Sequence, residues 1–146
     1  SSRFQVYVFN NQAQAMLVGT EGEWLDASDP LVLEKVMAST KVFTPSDGTN
    51  LFKAIDAIAE FDSKPDNLFI LTDGLPTIGD SDPKTLLVTS KQRRQFFTTA
   101  IAKLPRGIPV NTILFPMEGD PEAAALFWQL ALDTKGAFIA PSRDWP

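Results

Sequence analysis

Leu68-Phe69-Ile70-Leu71-Thr72-Asp73-Gly74-Leu75-Pro76-Thr77 is the stretch whose reading decides the fold. It opens with four apolar residues in a row, the pattern of a central parallel strand with both faces covered by helices. Thr72 and Asp73 then place a hydroxyl and a carboxylate at the carboxyl end of that strand, and Gly74 and Pro76 turn the chain. Ligands of open α/β sheets sit at that edge, so Asp73 is the first candidate functional residue.

Upstream of this strand lies Thr44-Pro45-Ser46-Asp47-Gly48-Thr49-Asn50, a dense loop of small and polar residues. It leads into a helix over residues 51–61, where Leu51, Ile55 and Ile58 recur at helical spacing. Nearer the N-terminus, residues 4–9 read as one strand and residues 13–18 as a second. Asn10-Asn11 between them favours an antiparallel hairpin. Residues 19–29 read as polar turns, after which Ser28 or Asp29 caps a helix over 30–38 with Pro30 in its first turn and Leu33, Val36 and Met37 facing inward.

Downstream, residues 76–83 form a loop carrying Asp80 and Asp82. A helix covers 92–104 with Phe96, Phe97, Ala100, Ile101 and Leu104 as its core stripe. Residues 108–115 are a second apolar strand, with Pro109 tolerated near its start. Asp120 caps the last helix, Pro121 takes its first position, and Ala124, Phe127, Trp128 and Ala131 form its buried face. Gly136 ends it and residues 137–140 make a short final strand. The order ββα-α-β-α-β-α-β predicts one domain over 1–146: an α/β fold with a mostly parallel, doubly wound sheet and one antiparallel edge strand.

Composition narrows the chemistry. The chain has 146 residues, 44% hydrophobic and 21% charged, with a net charge of −5. Arg93-Arg94 is its most basic spot, which makes nucleic acid and anionic membrane poor partners. No apolar run is long enough to span a bilayer. Histidine and cysteine are absent, which excludes catalysis by either and soft-metal sites. Any metal is therefore a hard cation held by oxygen.

Three segments together resemble a von Willebrand factor type A domain: Asp47-Gly48-Thr49-Asn50-Leu51 before a helix, the strand ending Thr72-Asp73-Gly74, and the strand over 110–115 with Gly119-Asp120 beyond it. The resemblance covers nearly the whole chain. It implies a Rossmann-like sheet flanked by helices on both faces, and a metal-ion-dependent adhesion site at the carboxyl edge. Carried over by motif position, Thr49 and Asp73 are metal ligands, with Asp47, Asn50 and Gly74 as further binding candidates. The cofactor implied is Mg²⁺ or another divalent cation, and the partner a protein whose Glu or Asp completes the cation's shell. An extracytoplasmic setting is implied in the same way.

The family's first loop, Asp-x-Ser-x-Ser after an apolar strand, has no counterpart in these 146 residues. The resemblance therefore implies a truncated domain lacking its central first strand, with weak metal binding. The place of that strand is expected to be taken by a missing N-terminal peptide or a second copy, or closed by direct pairing of residues 4–9 with 68–72.

Each candidate has a plainer reading. Asp73-Gly74 is also an ordinary turn, Thr49 a helix N-cap, Asp47 a turn or capping residue, and Asp80 and Asp82 solvated loop residues. Trp24 and Trp145 are either contact residues or packing over the sheet ends. Two rival functions follow. One is a metal-free interaction scaffold of the same fold. The other is a phosphatase-like enzyme with Asp73 as nucleophile and Thr77 in frame, but Leu75 stands where its second carboxylate is needed.

Overall fold

The computed structural model describes residues 2–44, 48–80, 87–115 and 120–141. In chain order its elements are β1 (Arg3–Phe4), β2 (Tyr7–Phe9), β3 (Ala13–Ala15), β4 (Leu25–Asp26), α1 (Pro30–Val42), α2 (Leu51–Asp56) running into a 3-10 turn (Ala57–Glu60), β5 (Leu68–Thr72), α3 (Ser90–Ile101), β6 (Val110–Leu114), α4 (Pro121–Thr134) and β7 (Phe138–Ile139). The class is mixed α/β.

The first expected strand is broken in two. Gln5 is the cause: its Oε1 accepts from the next residue's N–H, Val6 N, at 2.8 Å, while its Nε2 donates to the carbonyls of Thr20 and Glu23. Val6 N–H is thus taken by a side chain. β1 pairs antiparallel with β4, so the segment expected to hold only turns contains a short strand. β2 and β3 form the expected antiparallel hairpin, Val8 opposite Gln14.

β5, β6 and β7 form a parallel three-stranded sheet, with Ile70 opposite Thr112 and Ile113 opposite Ile139. Two sets of contacts fix how the hairpin lies beside it. At one end Tyr7 meets Phe61 edge-on and Trp24 packs on it tilted, ring centroids 6.0 and 4.6 Å apart, and Trp24 Nε1 donates to Ser63 O, just before β5 begins. At the other end Asn50 N donates to Asn10 O, just after β2 ends, while Thr77 N donates to Thr49 O beyond the end of β5. β2 and β5 therefore run in the same direction, but they do not pair with each other. The direct pairing of residues 4–9 with 68–72 does not occur.

Helices α2, α3 and α4 pack one core on one face of the sheet: Leu51 and Ile55, Phe97 and Ala100, and Phe127 and Leu130 meet Ile70, Val110 and Leu114. Phe97 and Phe127 meet edge to face at 4.9 Å. Among the described residues the other face is largely uncovered. Phe69 is 64% exposed and Leu71 58%, so β5 is buried on one face and not on both as its unbroken apolar run predicts. The reason is that no described helix covers the side on which Phe69 and Leu71 stand.

Helix faces depart from expectation in two places. In α1 only Val36 is buried; Leu33 and Met37 are exposed, although Asp29 caps the helix as expected by accepting from Leu31 N. In α4 the buried face is Ala123, Phe127, Leu130 and Ala131, with Ala124 and Trp128 turned outward. Gly136 allows β7 to close on β6, because a Cβ there would fall on the Val110 carbonyl.

Candidate functional site

A trough separates β2 from β5. On the helix-covered side it has a volume of about 650 Å³, with Tyr7, Phe9, Leu51, Ile55, Leu68 and Ile70 among its walls. On the bare side it continues as about 750 Å³ bounded by Val6, Val8, Phe43, Phe69, Leu71 and Phe115. Thr49, Thr72 and Asp73 close its carboxyl end, so the structure brings the two expected metal ligands to one cavity. Burial pushes the Tyr7 phenol above its ordinary pKa, reinforced by the nearby Glu60 and Glu21 carboxylates against a hydrogen bond from Gly22 N.

Thr49 is held by backbone. Its N–H donates to Thr77 Oγ1 at 2.9 Å, and its carbonyl accepts from Thr77 N and Ile78 N at 3.0 and 3.1 Å. The two loops at the carboxyl edge are thereby tied together, and the Thr49 hydroxyl is left out of these bonds. Thr49 is not the cap of α2. That position belongs to Asn50, whose Oδ1 accepts from Lys53 N.

Asn50, expected as a binding residue, is a buried structural clamp. It is 3% exposed, and its Nδ2 donates to Gly79 O at 3.1 Å. With its N–H on Asn10 O it joins the hairpin turn, the start of α2 and the loop after β5. None of these bonds leaves its side chain aimed at a ligand.

Gly74 is buried for a packing reason. A Cβ there would stand 2.6 Å from Asp120 Oδ2 and 3.1 Å from Arg93 Nη2. Those two groups form an ion pair at 2.8 Å with side chains 17% (Arg93) and 6% (Asp120) exposed. Asp120 Oδ2 also accepts from Leu75 N at 2.7 Å, and Arg93 Nη2 donates to Leu75 O at 2.6 Å. Both backbone groups of Leu75 are thus satisfied by opposite charges, which sets the turn on which Asp73 sits.

This clamp corrects the expectation for Asp120: it precedes α4 but makes no side-chain capping bond, because its carboxylate is engaged with Leu75 and Arg93. No local pattern in the sequence announces the pair. A basic residue inside a helix and an acidic residue before the next helix were both visible, but nothing in their spacing showed that they meet under one turn.

Asp73 itself is exposed, and among the described residues it enters no ion pair. Asp80 is exposed in its loop. Asp47, Asp82 and Trp145 lie outside the described residues. Trp24 packs on Phe61 over the end of the sheet.

The donor set at the carboxyl edge is the hard-oxygen type, one carboxylate and one hydroxyl. Among the described residues no group of three acidic side chains converges anywhere. Mg²⁺ requires near-octahedral oxygen ligation, so two protein oxygens fit it only as part of a larger set. No helix is long and apolar enough to cross a membrane among the described residues. A scan against family models, a search of curated proteins and a search of solved structures each return no match for this chain.

Proposed function

We propose that this chain is a protein-interaction module of the von Willebrand factor A type, with its contact surface at the carboxyl edge of a doubly wound sheet. Thr49 and Asp73 would supply two oxygens to a hard divalent cation, with a Glu or Asp of a protein partner among the remaining ligands. The observation that carries this reading is the meeting of Thr49 and Asp73 at one end of one trough, the carboxylate exposed and without a counter-charge among the described residues. The backbone ties of Thr49 and the Arg93–Asp120 clamp under Asp73 support it, because they hold both groups on rigid turns. Leu75, 1% exposed, occupies the position where a phosphatase would need its acid, which favours binding over catalysis.

A metal-free scaffold of the same fold is the second reading, favoured by the single carboxylate among the described residues that close that end. Titration with Mn²⁺, followed by paramagnetic broadening of backbone resonances, separates the two. The cation reading expects broadening centred on Thr49, Thr72 and Asp73, at millimolar metal, lost in Asp73→Ala. Uniform broadening, or broadening unchanged in that variant, would leave the scaffold.

A further inference from the structure

Arg93, half of the most basic spot in the chain, reaches the turn that carries Asp73, yet the Asp73 carboxylate enters no ion pair among the described residues. Arg93 closes the first turn of α3, where the capping box of Thr89 and Gln92 fixes the helix start and the Arg93 N–H donates to Thr89 O. That end of a helix disfavours positive charge. The guanidinium runs from there to the residues that follow Asp73: its Nη2 donates to Leu75 O at 2.6 Å and stands 3.1 Å from where a Cβ on residue 74 would be. A mostly buried cation so placed needs a carboxylate, and Asp73 is the residue directly before that glycine.

Asp120 answers that need instead. Its Oδ2 pairs with Arg93 Nη2 at 2.8 Å while accepting from Leu75 N at 2.7 Å, and it forgoes the capping bond to α4 that its position offers. Two residues on, Glu122 engages Arg94 through both of its carboxylate oxygens. Asp120 and Glu122, on either side of Pro121, thus each hold one of the two adjacent arginines. The Arg93 Nε is buried and has no acceptor among the described residues, so one donor of the guanidinium fork is left unused by the pairing with Asp120.

We propose that Asp120 is a positioning residue of the candidate cation site, acting through Arg93: by holding the guanidinium against Leu75 it keeps Arg93 from pairing with Asp73, and so leaves the Asp73 carboxylate to a hard divalent cation. This role rests on the cation reading of Thr49 and Asp73. With residue 120 neutral, Arg93 turns to Asp73, and the carboxyl edge loses its one ionised ligand to an internal ion pair. The positive charge then also stands beside the cation and repels it. The same clamp supports the backbone of Leu75, so diverting the charge and holding the turn are separated only by removing both charges together.

The test is Mn²⁺ titration of the whole chain and its variants, read by broadening at Thr49, Thr72 and Asp73, together with the Arg93 Nε–Hε resonance in the metal-free protein. Asp120→Asn keeps an acceptor for Leu75 N but not the charge. It is expected to weaken Mn²⁺ binding at least about tenfold, and Asp120→Asn combined with Arg93→Gln is expected to recover most of that loss. A clamp that only holds the turn gives a double variant that binds no better than Asp120→Asn, and that result overturns the proposal. Without metal, the Nε–Hε resonance is expected to move in Asp120→Asn and to lose that shift when Asp73→Asn is added. A shift that persists in this pair, as when Arg93 turns to Glu122, overturns the proposal too. Asp73→Asn alone is expected to leave the resonance in place, a test that does not depend on Asp120→Asn folding; a shift there would show Arg93 already on Asp73. Absence of Mn²⁺ broadening in the unsubstituted chain overturns the cation reading, and with it the purpose assigned to Asp120, while the metal-free resonances decide separately whether Arg93 is diverted.

Discussion

β5 and β6 lie side by side in one sheet, each five residues long and each read from an apolar run, yet they end in different environments. Val110, Thr112 and Leu114 of β6 are 0–1% exposed, and β6 is paired on both edges. β5 is paired on one edge only and leaves Phe69 and Leu71 more than half exposed. The comparison teaches that an apolar run reports the environment a strand is built for, and that this chain's described elements supply only part of that environment for β5. The edge that β5 leaves unpaired among the described strands lies toward β2, along the trough whose carboxyl end carries Thr49 and Asp73.

The largest expected effect separates the two sides of the sheet. Phe127→Ala removes a ring that is 1% exposed in the core beneath β6 and is expected to cost about 3–5 kcal/mol in urea denaturation. Phe69→Ala, on the bare side, is expected to cost less than about 1 kcal/mol. Equal losses would mean that the bare side is covered in solution.

Next in size is the clamp beneath the carboxyl edge. Asp120→Ala leaves Arg93 mostly buried without its partner and Leu75 N without an acceptor, which is expected to cost about 3 kcal/mol. Asp73→Ala, one residue before the clamped turn and exposed, is expected to stay within about 0.5 kcal/mol. That contrast would be reversed if Asp73 were the structural carboxylate and Asp120 the free one.

Much of this layout was legible in the residues. The strands at 68–72 and 110–114 followed from apolar runs, the hairpin from Asn10-Asn11, and the start of α1 from Asp29-Pro30. The face of α4 was not, because residues 123–128 and 130–132 are all apolar, and such a run has no polar side to set its phase. The face of α1 was misread for the opposite reason: its apolar stripe exists, but little of the described structure packs against it. That Thr49 and Asp73 stand at one end of one cavity follows from motif and strand position, whereas the Arg93–Asp120 clamp and the backbone role of Asn50 are long-range contacts that no local pattern encodes.

The smallest expected effect lies on the surface near the clamp. Arg94 hydrogen-bonds Glu122 through two of its nitrogens, and this bond outweighs partial desolvation to hold the Glu122 carboxyl below its ordinary range. A depressed folded-state pKa means that the pair's stabilisation is complete above the usual glutamate range and is lost as pH falls through the depressed value. Carboxyl-carbon NMR is expected to show the lowered midpoint, returning to the ordinary value in Arg94→Ala; an unchanged midpoint would remove the pair from solution. Global stability should barely move.

The claim at the centre is that no described strand pairs with the β2 side of β5. Leu68 N donates to Pro109 O and Thr72 O accepts from Phe115 N, so the even-numbered residues of β5 address β6. Native-state hydrogen exchange of the chain alone reads it residue by residue. The account predicts alternation, with the Ile70 and Thr72 amides about a hundredfold more protected than those of Phe69 and Leu71. Equal, strong protection at all four would show β5 paired on both sides and would contradict it.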